Sequence, residues 1–326
     1  MLHRIFHLLL IMTIGSRLAV AGDHAGVITG SELPQVSIPN TAQFDMRSVH
    51  GRTYRIFVAQ PSGERPPRGW PVVYHTDGNS SFPIVIAAVE GQSRYDRPAV
   101  VVGIGYIEDD PILRRGRRTF DLTPPADHEW LNTKAKPFSN QKTGGCQEFF
   151  EFIENELKPE IESRFEIDTN RQTLFGHSFG GLFALHTFLK NPESFQTFVT
   201  SSPSLWWNAG SLINEERQFV QRLSTGVETL ADRPQGSSHQ EHLAHNTRLL
   251  VTIGEFELNP PPGHEEEKPP AFREETEIGD ASQLVERLQS AGIHNLEVHF
   301  QEIPEAHHGS AELPAVSKGM QFALDD

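Results

Sequence analysis

The stretch LFGHSFGGLFAL, Leu174 to Leu185, places a serine among glycines in the middle of an otherwise apolar run. The residues before the serine have the composition of a buried strand, and those after it have the composition of a helix. Where a strand turns sharply into a helix at a serine, the serine backbone is strained and only glycine fits two residues to either side. Gly176 and Gly180 occupy those positions, so we predict a nucleophile elbow that exposes Ser178. The alternative is a small-residue helix start with Ser178 as its N-cap.

Strand and helix patterns alternate along most of the chain. Short, almost continuous apolar runs are typical of parallel strands buried on both faces, and the clearest are PVVYHT (71–76) and PAVVVGIGY (98–106). Helical patterns separate such runs, and the amphipathic one that begins at 144 is expected to end at Pro159 or soon after. The alternation predicts an α/β fold in which a mostly parallel central sheet carries helices on both faces.

The first residues have the pattern of a secretory signal peptide. His3 and Arg4 precede the apolar run IFHLLLIMTIG, and the tripeptide AVA at 19–21 forms a small-x-small cleavage site. The run is too short to cross a hydrocarbon layer of about 30 Å as a helix. We therefore expect residues 1–21 to be removed and the mature chain to be exported without membrane insertion, to the periplasm in a Gram-negative host and otherwise outside the cell. An anchoring or amphipathic N-terminal helix is the alternative.

A polar segment, residues 22–44, follows, and residues 45–326 are predicted to form one domain. Two stretches do not fit the core pattern: residues 107–145 form a long polar connection, and residues 258–275 are rich in proline and acidic residues. Connections this long are usually binding loops, lids or mobile segments. We interpret the first as lining the site and the second as solvated.

The charge and cysteine content exclude several kinds of site. A formal net charge of −15 argues against nucleic-acid binding, which needs clustered lysine and arginine. The single cysteine, Cys146, excludes an intrachain disulfide and a zinc site built on cysteine pairs, and we interpret it as a small, half-buried residue at a helix start. We expect no metal and no cofactor, because the chemistry predicted below requires none.

A serine hydroxyl is a poor nucleophile until a base takes its proton, so a histidine must follow in the chain. The sequence EIPEAHHGSAELPAVSKGM follows the last predicted strand, which is where the order serine, acid, histidine places that base. We select His308 over His307, because Gly309 and Ser310 give it a tight turn before the final helix.

The acid should follow the preceding strand, RLLVTIG (248–254), where Glu255 and Glu257 compete. We favour Glu257, because a carboxylate three residues beyond the strand-terminal Gly254 can curl over the sheet edge towards the histidine. A carboxylate there would orient the imidazole and stabilise its protonated form.

An oxyanion hole needs two backbone N–H groups, one from the residue after the nucleophile and one from a turn after an earlier strand. The first is the amide of Phe179. For the second we select the amide of Asn79, with Gly78 as the alternative. Asp77 is interpreted as a structural residue, because Asp-Gly is a common turn pair.

At this point the sequence resembles a known family, the putative-esterase branch of the α/β hydrolases. The stretches that carry the resemblance occur in the family's order: YRIFVAQP, VVYHTDGN, VVVGIGY, RRTFDLTP, EFIENELKPEIESRF, RQTLFGHSFGGLFALHTFL, SSPSLWW, VTIGEFE and HHGS. The likeness covers residues 45–323 and implies an α/β-hydrolase fold with a Ser-His centre at Ser178 and His308. The members that it resembles most are periplasmic ferric-siderophore esterases, which cleave the trilactone of enterobactin and salmochelin.

An anionic catechol ligand of that kind would be attracted by the arginines of the long connection, which are Arg114, Arg115, Arg117 and Arg118. We select the last two as substrate-binding residues. The alternative is that these cations are solvated or paired structurally with Asp121.

The predicted function is that of a serine carboxylic-ester hydrolase that acts through an acyl-enzyme on a small-molecule ester, with a ferric catecholate siderophore as the candidate substrate. Trp206 and Trp207 could line an acyl or aromatic pocket, and we expect at least one of them to belong to the core. Two other functions remain open: an acyltransferase with the same Ser-His centre, and a non-catalytic ligand-binding module on a hydrolase scaffold.

Overall fold

A computed structural model of the protein describes residues 37–94, 97–224, 243–258, 261 and 281–325. The chain divides into a short unit, Met1–Ser37, and a compact unit, Ile38–Asp326. The predicted signal peptide and all but Leu258 and Pro261 of the acidic, proline-rich stretch lie outside the described residues. None of the helices within the described ranges has the length and apolar character that a membrane crossing requires.

One eight-stranded sheet forms the centre of the compact unit. In chain order its strands are β1 (Thr41–Arg47), β2 (Thr53–Ala59), β3 (Trp70–His75), β4 (Val100–Tyr106), β5 (Ile167–His177), β6 (Thr197–Ser201), β7 (Thr247–Gly254) and β8 (Leu296–Ile303). Across the sheet the order is β1-β2-β4-β3-β5-β6-β7-β8. The pairs β1–β2 and β2–β4 are antiparallel, and every pair from β4 across to β8 is parallel. The predicted mostly parallel sheet is therefore confirmed.

Helices cover both faces of this sheet. They are α1 (Gly78–Ser93), α2 (Pro111–Leu122), α3 (His128–Thr133), α4 (Cys146–Phe152), α5 (Lys158–Arg164), α6 (Phe179–Lys190), α7 (Leu212–Ser224), α8 (Glu255–Leu258), α9 (Ala281–Ser290) and α10 (Glu312–Leu324), with 3₁₀ turns at Lys136–Phe138 and Trp207–Gly210. Buried residues of α1 and α10 share one apolar cluster, and those of α4 to α7 and α9 share the other. The α/β architecture with helices on both faces is thus as predicted.

The continuous apolar runs in the sequence arise because the central strands contact both clusters. In β3, Val72 and Tyr74 belong to the larger cluster, whereas Val73 belongs to the cluster under α1 and α10. All residues of this strand are buried. Each successive side chain points to the opposite face of the sheet, so a strand covered on both faces has no solvent-exposed position.

The edge strand β1 was not predicted, and the boundary expected at residue 45 falls inside it. Thr41–Arg47 has no buried residue, because an edge strand of this kind packs on its neighbour and leaves most side chains in water. Its sequence therefore lacks the apolar signal that identified the central strands.

The interpretation of residues 107–145 as a long polar connection is wrong, because most of this stretch is helical. Helix α2 begins with the residues that favour a helix N-terminus. Asp110 is the N-cap, whose carboxylate accepts from the Ile112 amide at 2.7 Å, and Pro111 lies in the first turn. Its polarity misled the prediction, since only Thr119, Asp121 and Leu122 of this helix are buried.

The helix expected to end near Pro159 continues beyond it. A short π-helical turn, Ile153–Leu157, separates α4 from α5, and Pro159 lies in the first turn of α5. The wider turn accommodates a residue that lacks a backbone N–H, so the chain stays helical as far as Arg164.

Candidate active site

Ser178 lies at a sharp turn between β5 and α6, with φ 60° and ψ −116°. A Cβ atom on Gly176 would come within 2.1 Å of the Gly180 carbonyl oxygen, and one on Gly180 within 2.2 Å of Thr76 Oγ1. Both glycines are therefore required by close approach, as the elbow predicts. The alternative, an N-cap serine, does not match, because the Ser178 side chain makes no capping hydrogen bond.

The hydroxyl of Ser178 instead meets the predicted histidine. Ser178 Oγ lies 2.8 Å from His308 Nε2, although 130 residues separate them in the chain. His308 Nδ1 lies 2.6 Å from Glu257 Oε2. An ionised carboxylate can only accept, so His308 Nδ1 carries the proton and Nε2 is free to take the one on Ser178. The structure thus brings Ser178, His308 and Glu257 into one hydrogen-bonded series at the carboxyl ends of β5, β7 and β8.

The rejected alternatives lie outside this series. Glu255 accepts a hydrogen bond from the amide of Glu305 at 2.8 Å, which fixes the turn after β8. The ring of His307 packs against Phe256, with centroids 5.1 Å apart.

Glu257 is held by more than its histidine. Its Oε1 accepts from Ser202 Oγ at 2.6 Å and from the Gly254 amide at 2.9 Å. Burial alone would raise the pKa of Glu257, but the hydrogen bond and charge of His308, with the bonds from Ser202 and Gly254, bring that pKa below its ordinary value. Ser202 was not predicted, although it belongs to the SSPSLWW stretch, which was noted only as a family resemblance.

The two amides selected for the oxyanion hole begin neighbouring helices. Phe179 is the first residue of α6, and Asn79 is the second residue of α1. The N–H groups of a first helical turn have no acceptor within the helix and lie at the positive end of its dipole. Since β3 and β5 are adjacent parallel strands, α1 and α6 start at the same edge of the sheet. The Asn79 side chain, by contrast, is engaged with the Tyr106 backbone, donating at 2.9 Å and accepting at 2.7 Å.

Arg118 connects these two helix starts. Its guanidinium donates to both carboxylate oxygens of Asp77, at 2.6 and 2.9 Å, and to the carbonyl of His177 at 3.3 Å. Asp77 precedes Asn79 in a left-handed conformation with φ 61°, and His177 precedes Ser178. Nε and Nη2 of Arg118 thus join the two turns, and Arg118 also lines the cleft beside His177, so its role in substrate binding stays a prediction.

Arg117 is also engaged by the protein, and it is absent from the cleft beside His177. Its Nη1 lies 2.7 Å from Glu108 Oε1, and its Nη2 donates to the Thr53 carbonyl at 3.3 Å. Asp121 lies 3.9 Å away, so Arg117 has the structural pairing that was the alternative, and its role in substrate binding stays a prediction.

A cleft of about 350 Å³ opens beside His177, the residue before the serine. Its lining residues are Asp77, Asn79, Ser80, Tyr106, Pro111, Arg114, Arg115, Arg118, His177 and Glu312. Arg115 is exposed and makes no ion pair with any residue in the described ranges. The cations that face this cleft are therefore Arg114 and Arg115, with Arg118 held by Asp77.

Trp206 and Trp207 belong to an aromatic cluster against the elbow. The Trp206 ring lies 5.9 Å from Phe179 and 5.9 Å from Phe138, between centroids. Trp207 is 1% exposed and donates through Nε1 to the Pro124 carbonyl at 3.0 Å, so it is the core residue of the pair. Trp206 is 8% exposed and packs on the residue that follows the serine, and its role in substrate binding stays a prediction.

His177 is a second imidazole beside His308, with ring centroids 5.0 Å apart. Burial, and then the proximity of His308, lower the pKa of His177 to about 4. It is therefore neutral at physiological pH, and its Nδ1 lies 3.0 Å from Ser201 Oγ. No group of residues in the described ranges has an arrangement that could hold a metal ion.

Comparison with known proteins identifies the class of enzyme to which this arrangement belongs. Residues 48–309 match the family model described as Putative esterase. The ferri-bacillibactin esterase of Bacillus subtilis is 33% identical over 295 residues, which cover 88% of this chain and 91% of that protein. The siderophore triacetylfusarinine C esterase of Aspergillus fumigatus is 32% identical over 240 residues, covering 71% and 73% respectively.

A solved structure shares the fold over nearly the whole length. The BES protein from Bacillus cereus matches with a TM-score of 0.71 at 34% identity, covering 90% of this chain and 98% of its own. With a family match over most of the chain, this likeness leads to one conclusion: the chain belongs to the putative-esterase family, and it is an α/β-hydrolase-fold enzyme that hydrolyses ester bonds.

Proposed function

We propose that the protein is a serine esterase that works through an acyl-enzyme on Ser178. The observation that carries this proposal is the continuous series from Ser178 through His308 to Glu257, with both contacts within hydrogen-bond distance. A nucleophile, a base in reach of it and an acid that orients the base are the elements that covalent ester hydrolysis requires.

In the first half of the reaction, Ser178 Oγ attacks the ester carbonyl carbon while its proton passes to His308 Nε2. The tetrahedral intermediate then collapses, the bond to the alcohol oxygen breaks, and the alcohol leaves with the proton from His308. In the second half, water gives a proton to His308 and attacks the acyl carbon. The second tetrahedral intermediate then breaks its bond to Ser178 Oγ, which takes the proton back from His308 as the acid is released. Glu257 stabilises the imidazolium that forms in each half, because its lowered pKa keeps it ionised.

The negative charge of each tetrahedral intermediate falls on the former carbonyl oxygen. We assign its two donors to the amides of Phe179 and Asn79, whose helices begin at the same sheet edge. Such donors typically contribute about 10²–10³-fold in kcat each.

For the substrate we propose a siderophore ester. The two curated relatives described above are named as siderophore esterases, and they match most of this chain. The cations that face the cleft, Arg114 and Arg115, would favour an anionic ligand. Residues 1–21 have the pattern of an export signal, so we further propose that the enzyme acts outside the cytoplasm.

The test is Ser178→Ala in the purified mature chain, assayed with a p-nitrophenyl ester and with a ferric trilactone siderophore. We expect loss of at least about 10³-fold in kcat for both, with unchanged circular dichroism and melting temperature. Ser163→Ala, at an exposed serine of α5, is the matched control and should keep wild-type rates.

Two further measurements separate the alternatives. A fluorophosphonate should label the wild type and leave Ser178→Ala unlabelled. Labelling without any ester turnover would support a binding module, and transfer of the acyl group to an added alcohol in preference to water would support an acyltransferase. Wild-type hydrolysis by Ser178→Ala would overturn the serine mechanism.

A further inference from the structure

A second and larger pocket lies on another face of α2. Its volume is about 800 Å³, within the range of small-molecule sites. Its lining residues are Arg52, Glu108, Pro111, Ile112, Leu113, Arg115, Gly116, Arg117, Phe120, Asn140, Gln141 and Lys142. At about 3.6 residues per turn, Arg114 and Arg118 lie on one side of α2, and Ile112, Gly116 and Phe120 lie on the opposite side.

The pocket is cationic. Arg52, Arg115, Arg117 and Lys142 line it, against the single carboxylate of Glu108. Arg52 is paired with Glu148 and Arg117 with Glu108, but Arg115 and Lys142 have no ion pair within the ranges that the structure covers. Two exposed positive charges therefore remain for a ligand to neutralise.

The rest of the lining combines apolar surface with unsatisfied polar atoms. Ile112 and Leu113 are 80% and 60% exposed, and Phe120 forms a wall with the Arg52 guanidinium 4.3 Å above its ring centre. Three buried lining atoms, Glu108 Oε2, Arg117 Nε and Gln141 Oε1, have no hydrogen-bond partner among the described residues. Because these three atoms are buried, they are not presented to a ligand, and the ligand chemistry is inferred from the exposed Arg115 and Lys142 with the exposed Ile112 and Leu113.

We propose that this pocket binds the part of the substrate that is remote from the scissile ester, and that this part is an anion with a flat apolar body. The inference rests on the proposed function. Pro111 and Arg115 line both this pocket and the cleft beside His177, so the two cavities adjoin across the first turns of α2. A substrate with several anionic arms would straddle α2, with one arm at Ser178 and another against Phe120.

Gly116 offers a direct test, because a Cβ atom there has no heavy atom within 4 Å. Gly116→Phe would place a ring in the pocket from a position whose Cβ has open space around it. Gly91→Phe is the matched control, since Gly91 is also helical, also has open space around its Cβ, and does not line the pocket.

The assay compares kcat/KM for a ferric trilactone siderophore with kcat/KM for p-nitrophenyl acetate. For Gly116→Phe, the loss on the trilactone should exceed the loss on the small ester at least ten-fold, whereas Gly91→Phe should change neither. Lys142→Glu should give the same selective loss by repelling an anion, and Lys318→Glu, an exposed lysine on α10, is its charge-matched control. Equal losses on both esters, or none in either pocket variant, would overturn the inference.

Direct binding distinguishes an arm of the substrate from a free anion. The enzyme with Ser178 blocked by a fluorophosphonate is titrated with 8-anilinonaphthalene-1-sulfonate, and the fluorescence of this dye should rise on binding. The rise should be at least five-fold smaller in Gly116→Phe than in the wild type. If the anion binds but the trilactone rates stay unchanged, the pocket serves a separate ligand and the inference fails. Failure of the proposed function is recognised independently, because Ser178→Ala would then keep its activity.

Discussion

Arg118 is expected to act on the reaction through the backbone that it holds. Its guanidinium joins Asp77, which precedes the Asn79 amide, to the carbonyl of His177, which precedes Ser178. The two donors proposed for the oxyanion are thus fixed relative to each other by one side chain. A small displacement of such donors weakens the stabilisation of the transition state more than the binding of the substrate.

Arg118→Met should therefore lower kcat for a neutral p-nitrophenyl ester by about 10²-fold and change KM much less. A methionine side chain fills much of the volume of Arg118 but makes none of its hydrogen bonds to Asp77 and His177. Steady-state kinetics measures the split between kcat and KM, and the affinity for a boronate analogue of the tetrahedral intermediate should fall in parallel. Asp77→Asn should have a smaller effect of the same kind. An increase in KM alone would show that Arg118 contacts the substrate instead.

At the residue scale, chain order was enough to predict that Ser178, His308 and Glu257 meet, because strand ends of a parallel sheet lie at one edge. The hydrogen bonds that hold these residues in place could not be predicted from the sequence. Ser202 and Glu257 are 55 residues apart, and Asp77 and Arg118 are 41 apart, with no periodic signal to connect them. Such pairs depend on the packing of one element on another, which single-sequence patterns do not report.

Among the elements, α2 shows how a functional helix escapes prediction. Its sequence PILRRGRRTFDL has four arginines and a glycine, so its mean hydropathy resembles that of a loop. The apolar residues Ile112 and Leu113 are exposed rather than packed. A helix that lies between two cavities buries too little surface for an apolar stripe to develop. The Asp-Pro start was the one signal that pointed to a helix.

The packing of α6 on α7 depends on a buried ion pair that gives a pH-dependent stability. His186 Nδ1 lies 2.6 Å from Glu215 Oε2. Burial would lower the pKa of His186, but hydrogen bonds with Cys146 and Glu215 and the charge of Glu215 raise it to about 9. A pKa raised above the ordinary 6.5 means that this stabilisation is fully present below pH 6.5 and is lost as the pH rises through 9.

His186→Gln should consequently lower the free energy of unfolding by more at pH 6 than at pH 9.5, with a difference on the order of 3 kcal/mol. Urea denaturation at the two pH values measures it. His299→Gln is the control, because His299 is half exposed in its contact with Glu297. An effect of His186→Gln that is independent of pH would indicate packing alone.

For the whole molecule, the strongest signals in the sequence came from strands that are buried on both faces, although the half-exposed β8 was also predicted. The strands β3 to β7 were recognised because two apolar clusters cover them, and the exposed edge strand β1 was missed. The net charge of −15 argued against nucleic acid as a partner class. The cations gather around α2 because four of its own residues are arginines, and the fold adds Arg52 and Lys142 to them.

The acidic character of the molecule also bears on its stability above neutral pH. Asp121 lies in the last turn of α2 and is fully buried, 3.9 Å from Arg117. Burial raises the pKa of Asp121 to about 7, against the opposing effect of Arg117 and Arg52. Since this pKa is raised above its ordinary 3.8, the folded state favours the protonated carboxyl, and the associated stability is lost as the pH rises from about 4 through 7.

Asp121→Asn should gain stability relative to the wild type as the pH rises from 5 to 8, by on the order of 2 kcal/mol. General repulsion among the excess acidic groups also weakens the wild type with rising pH. That repulsion is nearly the same in both proteins, so the difference between their unfolding free energies isolates Asp121. Denaturant titrations at pH 5, 6, 7 and 8 measure it. Asp45→Asn, at an exposed carboxylate whose pKa is lowered by Arg55, should show the opposite direction or none. A difference between Asp121→Asn and the wild type that stays constant over this range would mean that the buried carboxyl is already ionised at pH 5, held so by Arg117 and Arg52.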